Sequence, residues 1–273
     1  MRDFDSICPT AIITAYPKIY TNIKYSKEIY SYLSQNVSLD NITLNKMLAP
    51  EIEARYKLID KLFEQNNIEQ VIELASGYSS RGLEYANRGI RYIEIDLKQV
   101  IDIKKKIILD INKEVSNLEF IEADVTNSML SDIVLKKIDK TKPVAIISEG
   151  LFRYLTWNEK EKVVKNIFNI LSVTNGCWIT CDITPKGFKE TQNIINTNLN
   201  YELNNVTDRN KLNDRFENIE HINKFMKEKG FNKVEIHKFM EVKDDIVSFN
   251  NLNIDRDSYD QLFNRAVVGV IKI

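Results

Sequence analysis

Five short apolar runs recur between residues 70 and 183, separated by stretches of helical length, and this alternation is what most restricts the fold. Gln70-Val71-Ile72-Glu73-Leu74 stops at the loop chemistry of Ala75-Ser76-Gly77-Tyr78-Ser79-Ser80. Arg91 to Ile95 ends at Asp96, Leu118 to Ala123 at Asp124, and Val144 to Ser148 at Glu149. Cys177 to Ile183 precedes Thr184-Pro185. Between them lie helical patterns: Arg81 to Asn87, capped by Ser79 or Ser80; a stretch with Val100, Ile103, Ile107 and Ile111 spaced by three or four; and Asn158 to Leu171. Strands alternating with helices predict βαβ units and a parallel sheet. The fourth and fifth runs are almost wholly apolar, as strands covered on both faces must be.

The flanks read differently. Phe216 to Lys229 fits a helix ending at Gly230, and Phe231 to Phe239 and Arg265 to Ile273 fit two late strands. With no full helix between them, these predict an antiparallel pair at the sheet edge and seven strands in all. Residues 1–65 read as a helical N-terminal cap. Pro50 opens a helix there, with Glu51 and Glu53 in its first turn and Ile52, Tyr56, Ile59 and Leu62 or Phe63 on one face. The 273 residues are thus expected to form a single domain. It comprises the cap, a core over 66–185, a polar irregular segment over 186–215 as a candidate lid, and a C-terminal helix with edge strands over 216–273.

Composition removes several function classes. Lys and Arg total 38 against 39 Asp and Glu, which lacks the basic footprint of a nucleic-acid binder. No apolar run approaches the length of a membrane span. Met1-Arg2-Asp3-Phe4-Asp5 carries no secretory pattern, and Cys8, Cys177 and Cys181 cannot build a disulfide framework, so a cytoplasmic location is expected. The two histidines, His221 and His237, fall in a helix and a strand of the tail, and no HExxH or CxxC occurs, so no metal site is expected. Lys104-Lys105-Lys106 reads as a solvated helix face.

The carboxylates carry the functional signal. Ligands of open parallel sheets bind outside the carboxyl ends of the strands. Glu73, Asp96, Asp124 and Glu149 fall there in succession. Gly77 and Asp96 lie 19 residues apart, close to the spacing between a glycine turn and a ribose-binding acid. A carboxylate at Asp96 matches a ribose diol; Glu94, two residues earlier, is its rival. Asp124 is placed to accept from an adenine amino group. Each acid could instead cap the following helix. The turn has one glycine, with small Ala75 and Ser76 before it. That suits a ligand without phosphates better than a dinucleotide, and favours S-adenosylmethionine over NAD.

Four stretches make the chain resemble the leucine carboxyl methyltransferase family, including its bacterial branch linked to polyketide O-methylation. Val71 to Arg81 is similar to the family's strand, glycine and Asp-Thr-Arg segment, with Ser79-Ser80 in place of Asp-Thr. Tyr92 to Ile101, followed by Lys104-Lys105, is similar to its acidic strand end and helix, and Ala123-Asp124-Val125 to its third motif. Ser148-Glu149-Gly150-Leu151-Phe152-Arg153-Tyr154-Leu155 resembles its Glu-Gly-(apolar)-Tyr-Leu motif, with Arg153 at a position more often apolar. Arg55 matches an arginine that the family places near the cofactor carboxylate.

The resemblance implies the class I methyltransferase fold, a Rossmann-like α/β architecture, and S-adenosylmethionine as cofactor. It implies methyl transfer to an oxygen of a small-molecule acceptor, a carboxylate or hydroxyl. A carboxylate is favoured, because it is ionised at neutral pH and no base is evident. Arg55, Glu73, Ala75 and Gly77, with Asp96, Asp124, Val125 and Glu149, form the expected cofactor set. Glu149 would meet the methionine ammonium. Tyr154 would line the transfer pocket or serve as a core aromatic, and Arg153 would hold an anionic acceptor or lie on the surface. The alternatives are a silent S-adenosylmethionine-binding protein and, on a related sheet, an NAD-dependent oxidoreductase. Oligomeric state is not legible.

Overall fold

A computed structural model describes residues 8–39, 42–112, 115–185 and 215–273. The candidate lid at 186–215 lies outside these residues except for Arg215. The sheet has seven strands: β1 (Gln70–Leu74), β2 (Arg91–Asp96), β3 (Leu118–Glu122), β4 (Val144–Ser148), β5 (Cys177–Thr180), β6 (Lys233–Lys238) and β7 (Val267–Lys272). Their order is β3-β2-β1-β4-β5-β7-β6. The first five are parallel neighbours, and β7 runs antiparallel to both β5 and β6. The expected sheet and its antiparallel edge pair are therefore present.

Helices cover both faces. Those flanking the first strands are α1 (Cys8–Ala15), α2 (Ser26–Asn36), α3 (Ala49–Gln65), α4 (Arg81–Asn87) and α5 (Lys98–Ile111). Then come α6 (Leu130–Leu135), α7 (Trp157–Thr174) and α8 (Ile219–Glu228). Strand alternation divides the core. Ile72 and Leu74 of β1 join α6, α7 and α8 in one apolar cluster, while Val71 joins α3, α4 and the 239–266 segment in the other. All five residues of β1 and of β4 are buried; β4 is almost wholly apolar, while in β1 the buried Gln70 bonds to the Asp139 backbone and the buried Glu73 to Arg81 and Tyr92. α1 and α2 pack on α5 and Tyr78 through Ile12, Ala15, Ile29 and Leu33.

Two of the sequence expectations change here. The fifth strand ends at Thr180 instead of Ile183. Asp182 folds back and accepts hydrogen bonds from Ser148 Oγ at 2.8 Å and the Phe152 N–H at 3.3 Å, which stops the strand. Lys104 is not on a solvated face. It is 1% exposed, and its Nζ pairs with Glu94, because α5 turns this residue onto β2. Of the two serines expected to cap α4, it is Ser79 whose Oγ accepts the Arg81 N–H, at 3.2 Å, while Ser80 makes no side-chain cap.

The chain leaves β1 toward β3 and returns to β4 on the other side of β1. Strand order thus reverses between β1 and β4, and the crevice beyond their carboxyl ends is where such a sheet takes a ligand.

Candidate functional site

The turn after β1 begins the site. Ala75 (φ +51°) and Gly77 (φ +50°) both adopt left-handed backbone. For alanine this costs roughly 1–2 kcal/mol, held in place by the surrounding structure. The Gly77 N–H donates to Asp96 Oδ2 at 2.7 Å, and the Leu97 N–H donates to Oδ1 at 2.7 Å. Burial pushes the Asp96 carboxyl upward, and the two amides oppose it. Each oxygen keeps a lone pair for a further donor. Asp96 therefore ties the end of β2 to the turn after β1 while presenting an acceptor to the crevice. Glu94, the rival, is fully buried and engaged with Lys104 and with Ser76 Oγ at 3.4 Å. It does not reach the crevice wall.

A buried arginine organises the opposite side. Arg81, at the first turn of α4, is 0% exposed. Its Nε reaches Asp60 Oδ1 at 2.7 Å, Nη1 reaches Glu73 Oε1 at 2.7 Å, and Nη2 reaches Glu149 Oε2 at 2.9 Å. Its guanidinium carbon sits 4.0 Å from the Tyr56 ring centroid. Glu73 also accepts from the Tyr92 hydroxyl at 2.9 Å. Glu149 Oε1 accepts from Arg55 Nε at 2.8 Å. Burial alone would raise the Glu149 carboxyl, but Arg55, Arg81 and Lys18 outweigh it and hold the group down to about 2. Glu149 is thus a fixed anion at the carboxyl end of β4.

One crevice gathers every residue expected from the sequence. Glu73, Ala75 and Gly77 line it from β1, Asp96 from β2, and Asp124 and Val125 from beyond β3. Glu149, Arg153 and Tyr154 line it from the segment after β4, and Arg55 from α3. Asp124 Oδ1 also accepts from the Thr126 N–H at 2.9 Å and hydroxyl at 2.8 Å, fixing its loop. The fourth wall went unread in the sequence. Thr10, Ala11, Thr14 and Ala15 of α1, with Lys18 just beyond it, close the crevice from the N-terminal side. Lys18 is 7% exposed, and burial lowers its ammonium to about 8 despite the pull of Glu149. No spacing pattern marks it. The packing of α1 against Tyr78 and the contact of its ammonium with the Tyr56 ring, 5.3 Å from the centroid, bring it here.

The two histidines lie elsewhere. His221 packs 5.4 Å from the Trp157 ring, and His237 Nδ1 lies 3.2 Å from Glu241 Oε2. Among the described residues, no group of three or more His, Cys, Asp or Glu is placed to hold a metal ion. Nor is any helix among them long and apolar enough to cross a membrane.

The crevice fits S-adenosylmethionine on its own chemistry. Carboxylates at Glu73, Asp96, Asp124 and Glu149 surround it, suiting hydroxyl and ammonium donors and a sulfonium. The Gly77 N–H, which a phosphate would need, is already bonded to Asp96. Lys18 and Arg55 supply cations for a carboxylate beside Glu149.

Comparisons with known proteins agree with this. The model of the leucine carboxyl methyltransferase family matches residues 24–168, over half of the chain. A protein of Mycolicibacterium paratuberculosis, provisionally named an S-adenosyl-L-methionine-dependent methyltransferase, is 29% identical over 137 residues. The match covers 48% of this chain and 44% of that protein. A relative of the same name from Mycobacterium sp. strain JLS is 26% identical over 131 residues, covering 47% and 44%. The chain therefore spans less than half the length of these relatives. Among solved structures, a DUF574 family protein from Streptomyces avermitilis aligns with a TM-score of 0.56 at 13% identity, over 96% of both chains. An S-adenosylmethionine-dependent methyltransferase from Anabaena variabilis aligns at 0.56 and 12%, over 92% of this chain and 96% of that one. At such identity these likenesses establish the fold, which is that of the class I methyltransferases.

Proposed function

The chain belongs to the leucine carboxyl methyltransferase family, and we propose that it is an S-adenosylmethionine-dependent O-methyltransferase acting on a small carboxylic acid. The observation that carries the reading is the bond from the Gly77 N–H to Asp96 Oδ2. It turns a glycine loop of the kind that cradles phosphates into one that presents a carboxylate. A dinucleotide would bring its pyrophosphate against that carboxylate, whereas a nucleoside brings only its ribose hydroxyls.

In this reading Asp96 accepts from the ribose diol and Asp124 from the adenine edge. Glu149, held anionic by Arg55 and Arg81, faces the methionine ammonium. Lys18 and Arg55 face the methionine carboxylate. Glu73 works through Arg81, whose position it fixes. Ala75, Gly77 and Val125 give close approach along the backbone and a flat apolar contact. The bound cofactor supplies a methyl group on a sulfonium, which an acceptor oxygen takes as the carbon–sulfur bond breaks.

The protein's part is to hold the acceptor in line and keep water out. Neither histidine lines the crevice, so an acceptor that is already ionised fits best. Tyr154 and Arg153, after the β4 end, stand on the acceptor side.

The test is a calorimetric titration with S-adenosylmethionine, S-adenosylhomocysteine and NAD. It is followed by incubation with labelled cofactor and carboxylic acids, scoring base-labile methyl esters. Binding of both sulfur nucleosides with ester formation supports the reading. Binding with no product from any acceptor returns the silent-binder alternative. NAD binding in their place would falsify it.

A further inference from the structure

Beside the crevice lies a second cleft, separated from it by a wall of Arg55, Gly150 and Arg153 that faces both. Its floor is apolar. Phe152, Phe216 and Phe239 are 2%, 2% and 3% exposed, and Ala266 completes it. Among the described residues its lining holds more cations than acids. Arg153, Arg215 and Lys160 line it, and Arg215 is close enough to Arg153 to be disfavoured by it, with burial lowering its guanidinium to about 10. Among the described residues, Arg153 and Arg215 make no hydrogen bond or ion pair. Lys160 is 2% exposed, with its ammonium 4.7 Å from the Trp157 ring centroid. It sits in the first turn of α7. Among the described residues, two acids share the lining. Asp182 is taken up by Ser148, Thr180 and the Phe152 amide, which leaves Glu51 facing Arg153 and Arg215. Arg55 is already committed to Glu149.

We propose that this cleft is the acceptor site. An organic acid with an aromatic or alkyl body would lie along Phe152, Phe216 and Phe239, with its carboxylate held by Arg153 and Arg215. The proposal rests on the methyltransferase reading for its purpose, though not for its physics. Arg153 belongs to both walls, so an acid it holds lies at the boundary with the cofactor crevice. Esterification removes the anion and with it the charge-assisted contacts, so the site distinguishes acid from methyl ester and sheds the ester.

Titration of the whole chain with 3-phenylpropanoate and decanoate, and with the methyl ester of each, tests this. Binding is read from tryptophan fluorescence, since Trp157 adjoins Lys160 and Phe216. S-adenosylhomocysteine affinity is read separately by calorimetry. The expected result is that the acids bind roughly tenfold or more tighter than their esters. Arg215→Gln and Arg153→Gln should each weaken the acids by a similar factor, and Arg215→Lys should restore part of the loss. Arg215→Gln should leave S-adenosylhomocysteine affinity unchanged, which also reports that the variant folds. Absence of acid binding, equal binding of esters, or indifference to both arginine substitutions would overturn the proposal. Acid binding with this arginine dependence but no affinity for S-adenosylhomocysteine would uphold the cleft and remove the methyltransferase reading.

Discussion

Lys18 lines the crevice, and burial lowers its ammonium to about 8. Below that value it is a cation and favours a bound carboxylate; above it the ammonium is lost and the contact weakens. Affinity for S-adenosylhomocysteine should therefore be level up to about pH 8 and fall beyond it, as calorimetry across pH 6.5–9.5 would show. The Lys18→Arg protein should stay level, which separates the lysine from titration of the ligand's own amine. Arg81 is a different kind of residue. It satisfies Asp60, Glu73 and Glu149 at once. Arg81→Met should cost on the order of 3–5 kcal/mol in urea denaturation, since it leaves buried carboxylates unpaired. Asp96, Glu149 and Gly77 were legible from their places at strand ends. Lys18 and the buried Lys104 were not, because each owes its environment to contacts that no local spacing encodes.

The elements differ in how fully local sequence specifies them. β1 and β4 have the bounds their sequences predict, since each gives way to turn chemistry, Ala75-Ser76-Gly77 after β1 and Glu149-Gly150 after β4. β5 stops at Thr180 although the strand-like pattern runs on through Cys181-Asp182-Ile183, because Asp182 is pulled aside by Ser148 and the Phe152 amide. That detour shapes the site, since it pins the segment carrying Arg153 and Tyr154 to the end of β4. α7 extends beyond its expected bounds at both ends, to Trp157–Thr174. Its first turn is set by a reciprocal cap, in which Thr156 accepts from the Glu159 N–H and Glu159 accepts from the Thr156 N–H. Thr156→Ala should cost about 1 kcal/mol in stability, measured by thermal or urea unfolding. It should also loosen the turn that holds Trp157 and Lys160 beside the second cleft. Acid binding should weaken while S-adenosylhomocysteine binding holds, because no α7 residue lines the cofactor crevice.

At the scale of the molecule, the crevice is a joint between layers that otherwise touch through separate cores. Its walls come from α1 and the turn after it, from α3, and from the carboxyl ends of β1, β2, β3 and β4. The N-terminal helices pack on α5 and Tyr78 and on α3, and a ligand between Lys18 and Asp96 adds a further tie across the crevice. A ligand that binds only the folded state stabilises it by about 2.7 kcal/mol at a hundred times its Kd. In a chain of this length that raises the midpoint by about 5 °C. Thermal melts with saturating S-adenosylhomocysteine should show such a rise, and NAD at the same concentration should produce none. Asp96→Ala should lose the rise and also begin from a lower midpoint, because the same carboxylate holds the Gly77 and Leu97 amides. The two effects separate cleanly. The unliganded midpoint reports the turn, and the ligand-induced increment reports the ribose contact. A lowered midpoint with the increment intact would leave Asp96 as a clasp between β1 and β2 and move the nucleoside elsewhere in the crevice.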